Sequence, residues 1–138
     1  MTIKEKPLPS AIEAEEAVLG SIIVGGKREL DVAIAWIRDD DAFYDQTNKA
    51  IWQSIKSLND DNTEIDMVTL CDKVKDKTGD SKAYYITGLT DNLVSKSNIA
   101  GYSRIVWEKY IQRETAKSAE LLLNASFEDY KEVGNILQ

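Results

Sequence analysis

Histidine is absent from this 138-residue chain, and cysteine occurs once. Without histidine the commonest general base and the usual transition-metal ligand are missing, and a Ser-His-Asp triad is excluded. Cys71 has no partner for an internal disulfide, in agreement with a reducing compartment. Its apolar neighbours Met67 and Val74 point to a buried structural thiol rather than a nucleophile. Proline is confined to Pro7 and Pro9, inside a polar stretch, 1–9, that reads as a tail. No apolar run reaches the roughly 18 residues of a membrane span. The opening MTIKEKPLPS also lacks the apolar centre of an export signal. A cytoplasmic protein without membrane contact is the expectation.

Positive charge is also scarce. Lysine and arginine number 17 against 24 acidic residues, a formal net charge of −7. Such a chain repels phosphate backbones on average, and the basic residues are dispersed, as at Lys27-Arg28 and Lys73, Lys75 and Lys77. Trp36, Trp52, Trp107 and six tyrosines offer stacking surfaces, but no basic groove flanks them, which argues against nucleic-acid binding by this chain alone. Period-two alternation between hairpin turns is missing, and so is any repeat of 20–50 residues.

What is present is helical periodicity. Ser10-Ala11-Ile12-Glu13 matches a capping box, followed by Ile12, Val18, Leu19, Ile22 and Ile23 at helical spacing, with Gly25-Gly26 as the stop. A second helix over 27–37 places Leu30, Ala33, Ile34 and Ile37 on one face, and Asp39-Asp40-Asp41 ends it in a solvated turn through mutual repulsion. A third, 46–58, turns Ile51, Trp52, Ile55 and Leu58 inward, and the Asn/Asp-rich stretch 59–64 is a loop. Asp66 caps a fourth helix, 67–77, with Met67, Leu70, Cys71 and Val74 inward and Gly79 after it. A fifth covers 83–90 with Tyr85, Ile86 and Leu89 as core candidates. The sixth, 97–125, is about 43 Å long, and Ser126 opens a short seventh carrying Tyr130, Val133 and Leu137. The fold class is all-α: a compact multi-helix globule of about five short helices (10–96), then a long helix beginning a helical hairpin (97–138).

The long helix carries apolar residues on more than one face. Ile99, Tyr102, Val106 and Tyr110 form one stripe, while Ile105, Trp107 and Ile111 lie elsewhere. Either the fifth and seventh helices cover this surface or a second chain does. These residues, with Arg113, are the candidate interface positions, and Trp107 is the favoured exposed anchor.

Two suggestions of chemistry fail on inspection. Gly20 to Lys27 approximates a phosphate loop, Gly-x4-Gly-Lys-Ser/Thr, but Gly26 stands at the lysine position and Lys27 at the hydroxyl position. It also closes a helix, whereas a phosphate loop opens one. Glu13 and Glu16 sit three apart as in a carboxylate metal site, yet read more simply as solvated and capping groups. Catalytic, cofactor and metal residues are therefore expected to be absent from this chain.

Five blocks, in order, resemble the N-terminal domain of the DnaB-family replicative helicases. Ile12 to Ser21, IEAEEAVLGS, resembles I-E-A-E-x-x-V-L-G-x; Phe43-Tyr44 followed by Ile51-Trp52 resembles D-F-Y…H-x-x-I-[FY]; Ile65-Asp66-Met67-Val68-Thr69-Leu70 is similar to P-I-D-[LM]-[IV]-T-L. Ala83 to Leu89 resembles A-Y-[LI]-x-x-L with one residue of extra spacing, and Asn98 to Lys109 is similar to N-[IV]-x-x-Y-x-x-I-[IV]-x-[ED]-K. The departures are Asn48 or Lys49 where the family often has histidine and Glu64 where proline precedes I-D, both read as surface or turn positions. The resemblance implies a collar domain whose hairpins pair subunits, three pairs forming a ring that supports the hexamer and receives the C-terminal domain of primase. A helicase loader is a further partner. ATP, magnesium and DNA would be handled by a RecA-like motor domain outside this sequence. A free-standing helical adaptor or decoy that binds a helicase or primase is the competing expectation, and a reading frame running on into a Walker motif would separate the two.

Overall fold

Almost every face of the first helix is apolar or small, and the fold is arranged around that fact. A computed structural model describes residues 10–93 and 98–128, in which six α-helices follow one another: α1 (Ile12–Gly25), α2 (Lys27–Trp36), α3 (Gln46–Asp60), α4 (Met67–Thr78), α5 (Ala83–Asp91) and α6 (Ile99–Ala125). No strand occurs among the described residues. α1 buries Ala14, Glu15, Val18, Leu19, Gly20, Ser21 and Ile22, and α2, α3, α5 and α6 all pack on it. Gly20 is where α5 comes closest: a Cβ there would lie 2.5 Å from the Leu89 carbonyl oxygen, so only glycine lets the two backbones meet.

Gly26 makes the first corner. Its φ of 79° reverses the chain, its N–H donates to the Ile22 carbonyl, and α2 begins at the next residue. Leu30, Ala33 and Ile37 enter the core as expected, but Ile34, at the edge of that stripe, stays 39% exposed. The α1 start also departs from expectation. Ala11 occupies the N-cap with no side-chain bond, so Ser10 lies one residue out of register for a capping box. The α4 start is a true capping box: Asp66 accepts from the Thr69 N–H at 2.9 Å while Thr69 Oγ1 accepts from the Asp66 N–H at 3.1 Å. Gly79, left-handed at φ 86°, closes α4.

Trp52 and Phe43 form the aromatic centre of the core, ring centroids 5.0 Å apart, beside Leu19, Ile51, Ile55, Leu70 and Val74. Of the expected α4 face, Leu70 and Val74 are fully buried while Met67 and Cys71 are only partly so. Burial pushes the Cys71 thiol pKa up, which keeps it protonated.

The acidic triplet forms a turn in which Asp39 and Asp41 are exposed, as expected, but Asp40 is half-buried. Asp40–Ala42 is a single 3₁₀ turn, and each aspartate has a distinct partner. Asp39 accepts from the Asp41 N–H at 2.9 Å; Asp40 accepts from Trp52 Nε1 at 2.8 Å and pairs with Lys56; Asp41 pairs with Lys49. Burial alone would raise the Asp40 pKa, but the bonds from Lys56, Gln53 and Trp52 outweigh it and leave the carboxyl below its usual range. What local repulsion leaves out is that the donors cancelling the charges of Asp40 and Asp41 come from α3.

Candidate interaction surface

Two charged side chains decide how the long helix leaves the globule. Glu15, 1% exposed, points from α1 at the segment entering α3. Its carboxylate accepts from the N–H groups of Tyr44 (2.9 Å) and Asp45 (3.3 Å) and from Asn48 Nδ2 (3.1 Å). Asn48 in turn accepts the Tyr85 hydroxyl at 2.5 Å, so one buried network ties α1, α3 and α5 together. Burial raises the Glu15 pKa, while the donors from Tyr44, Asn48 and Asp45 and the nearby Arg113 charge limit the rise. Burial and the neighbouring Glu16 likewise push the Tyr85 phenol up.

Arg113, 3% exposed, reaches from α6 to the other side of the same segment. Its Nη2 donates to the carbonyls of Ala42 (2.9 Å) and Asp41 (3.1 Å), and the guanidinium lies 5.2 Å from the Tyr44 ring and 5.8 Å from the Tyr110 ring. Tyr110 adds a long bond from its hydroxyl to Asp39 at 3.4 Å. The 39–45 segment is thus held between α1 and α6 by polar contacts.

These anchors sort the candidate interface positions. Ile99 and Val106 are buried against the core and Arg113 is buried on the 39–45 segment, so these three present no surface to a partner. Tyr102, Ile105, Trp107 and Tyr110 are half-buried against the core, and the Trp107 and Tyr110 rings meet at a tilt of 43° with centroids 5.1 Å apart. Ile111 is 47% exposed. The helices that cover α6 are chiefly α1 and α2, not α5; the expected seventh helix lies mainly outside the described residues. α1 fills that place because its small and apolar residues extend around the helix.

Beyond Arg113 the character of α6 changes. None of residues 114–124 is buried, although Ala125, which ends the helix, is. Leu121, Leu122 and Leu123 are 58%, 46% and 45% exposed, and Phe127 is 83% exposed. Consecutive helical positions lie about 100° apart, so three adjacent leucines sweep roughly 200° of the helix and one neighbouring element cannot cover them. These residues were missed in the sequence, although an unbroken leucine triplet in a polar helix is a signal for them.

The DnaB-like helicase N terminal domain profile matches residues 7–108. The chain belongs to that family. It is 29% identical over 135 residues to the replicative DNA helicase DnaB of Treponema pallidum, covering 92% of this chain and 29% of that protein. It is also 29% identical to the replicative DNA helicase DnaC of Bacillus subtilis, covering 94% and 29%, and to DnaB of Rhodothermus marinus, covering 76% and 11%. The chain therefore spans less than a third of the length of these relatives. The crystal structure of the N-terminal domain of DnaB helicase from Mycobacterium tuberculosis superposes with a TM-score of 0.82 at 20% identity, covering 94% of both chains, so the fold is that of the DnaB N-terminal domain.

Within this DnaB N-terminal domain the recurring sequence blocks acquire physical reasons. Glu15 is the second glutamate of I-E-A-E, and it holds the start of α3. Gly20 of V-L-G is the α1–α5 contact. Asn48, read as a surface or turn position, is fully buried and bridges Glu15 and Tyr85. Glu13 is exposed, and Glu16 accepts the Tyr85 hydroxyl at 3.4 Å. No helix among the described residues is long and apolar enough to cross a membrane.

Proposed function

We propose that this domain is the non-catalytic collar of a replicative helicase, pairing subunits through α6 and presenting the paired surface to the C-terminal domain of primase. The supporting observation is the outer part of α6, where Leu121, Leu122, Leu123 and Phe127 stand exposed on a helix whose inner part is anchored by Arg113. Covering these residues and Ile111 gives roughly 5–6 kcal/mol per protomer, at about 1.5–3 kcal/mol per fully buried side chain. A symmetric pair doubles that, against an association cost of about 4–15 kcal/mol. The terms are of similar size, so this chain forms a weak, concentration-dependent dimer. Higher ring assembly, a loader, ATP, magnesium and DNA translocation belong, in this reading, to parts of a longer protein.

Light scattering across a concentration series is the test. Dimerisation that Leu121→Glu with Leu122→Glu abolishes supports pairing through α6, and a monomer at every concentration refutes it. Calorimetry against the cognate primase C-terminal domain tests docking separately: heat of binding lost in the same double variant supports it, and silence with the wild-type chain removes primase from the proposal.

A further inference from the structure

A second surface lies at the root of α6, about 24 Å along the helix from the leucine triplet. A groove of about 1090 Å³ runs between the first half of α1, the length of α5, and Tyr102 and Ile105 of α6. Its floor is apolar, with Ala14, Ala17, Leu89 and Ile105, and Tyr84 stands at its edge 96% exposed. Among the described residues that line it, the charged ones are Glu13, Glu16 and Asp91, all acidic. Small-molecule pockets run to roughly 1,000 Å³ and enclose most of their ligand. A groove of this size, open to solvent and built between helices, suits an amphipathic segment laid along it.

We propose that this groove docks a basic amphipathic helical segment of a partner protein, its apolar face on Leu89, Ile105 and Ala17 and its lysines or arginines against Glu13, Glu16 and Asp91. The proposal does not depend on pairing through α6. Charge complementarity selects the partner: an acidic segment meets three carboxylates at close range, and a neutral apolar one leaves them uncompensated.

The test uses the full chain and two synthetic amphipathic helices of about 16 residues with the same leucine face, one with lysine and one with glutamate on the polar face. The lysine probe should bind with a Kd on the order of 10–100 µM and the glutamate probe should not bind. Glu13→Lys with Asp91→Lys, both exposed positions, should weaken the lysine probe at least about tenfold, and Tyr84→Ala a few-fold. Asp72→Lys with Asp76→Lys on α4 changes the net charge equally but leaves the groove intact, and should change affinity less than about twofold. Circular dichroism confirms that each variant is folded. Equal loss in the two double variants would reduce the effect to bulk charge and overturn the proposal, as would equal binding of both probes or no binding of either. Deletion of residues 2–9, which contain Lys4 and Lys6, should leave affinity unchanged; a tenfold gain would make the chain's own tail the occupant and overturn docking of a partner.

Discussion

Both parts of α6 carry apolar residues, eight from Ile99 to Arg113 and five from residue 114 to 124, but only the inner part buries any of them. From Ile99 to Arg113 the helix lies on α1 and α2, burying Ile99, Ser103, Val106 and Arg113. From residue 114 to 124 no side chain is buried, though three leucines are there. The inner part is held because Arg113 and Tyr110 reach the 39–45 segment and Glu15 grips that segment from the opposite side. Polar anchors hold the inner part of the helix to its own globule, and beyond them the leucines stay exposed.

Removing an anchor should have the largest effect. Arg113→Ala or Glu15→Ala leaves buried partners unsatisfied and should lower unfolding stability by about 3–4 kcal/mol in urea titrations. A loss under about 1 kcal/mol would show that the apolar stripe alone holds the inner part. Gly20→Ala tests the globule beneath it: the new methyl meets the Leu89 carbonyl oxygen at 2.5 Å, and overpacking should take away about 1–3 kcal/mol. A neutral result would mean that α5 moves freely on α1.

Glu15 also makes the anchor pH-dependent. Its folded pKa lies above the ordinary 4.5, so the folded state holds the proton longer than the unfolded one. Stability therefore falls as pH rises from 4.5 through the raised value. Glu15→Gln should remove that component, seen as a stability difference from wild type that changes with pH only in that window. Asp40 runs the other way: its lowered pKa contributes stability above the ordinary 3.8 that is lost as pH falls. The smallest effect is expected at the far end, where Leu121→Glu with Leu122→Glu should shift monomer stability by no more than about 0.5 kcal/mol. A loss as large as that from Arg113→Ala would place these leucines in the domain's own core.

Much of the architecture is legible in the sequence because helices carry local marks. Gly26 and Gly79 stop helices, Asp66 starts one, and Ile51, Trp52, Ile55 and Leu58 repeat at the spacing of a buried face. The family blocks at Ile12 to Ser21 and Asn98 to Lys109 were equally visible. Exposure along α6 was less legible: of the candidate positions Ile99, Val106 and Arg113 are buried and Ile111 is exposed, and the exposed leucine triplet was not singled out.

By itself, the sequence determined the helices, their order, most of the core and the family. Only the tertiary structure decided what the charged residues do. Glu15 meets Tyr44 and Asp45 some 30 residues away, and Arg113 meets Ala42 across 71. A buried carboxylate and a solvated one look alike in a periodic pattern. The difference lies in donors and acceptors that only folding brings within hydrogen-bond reach, where burial makes each unsatisfied group expensive.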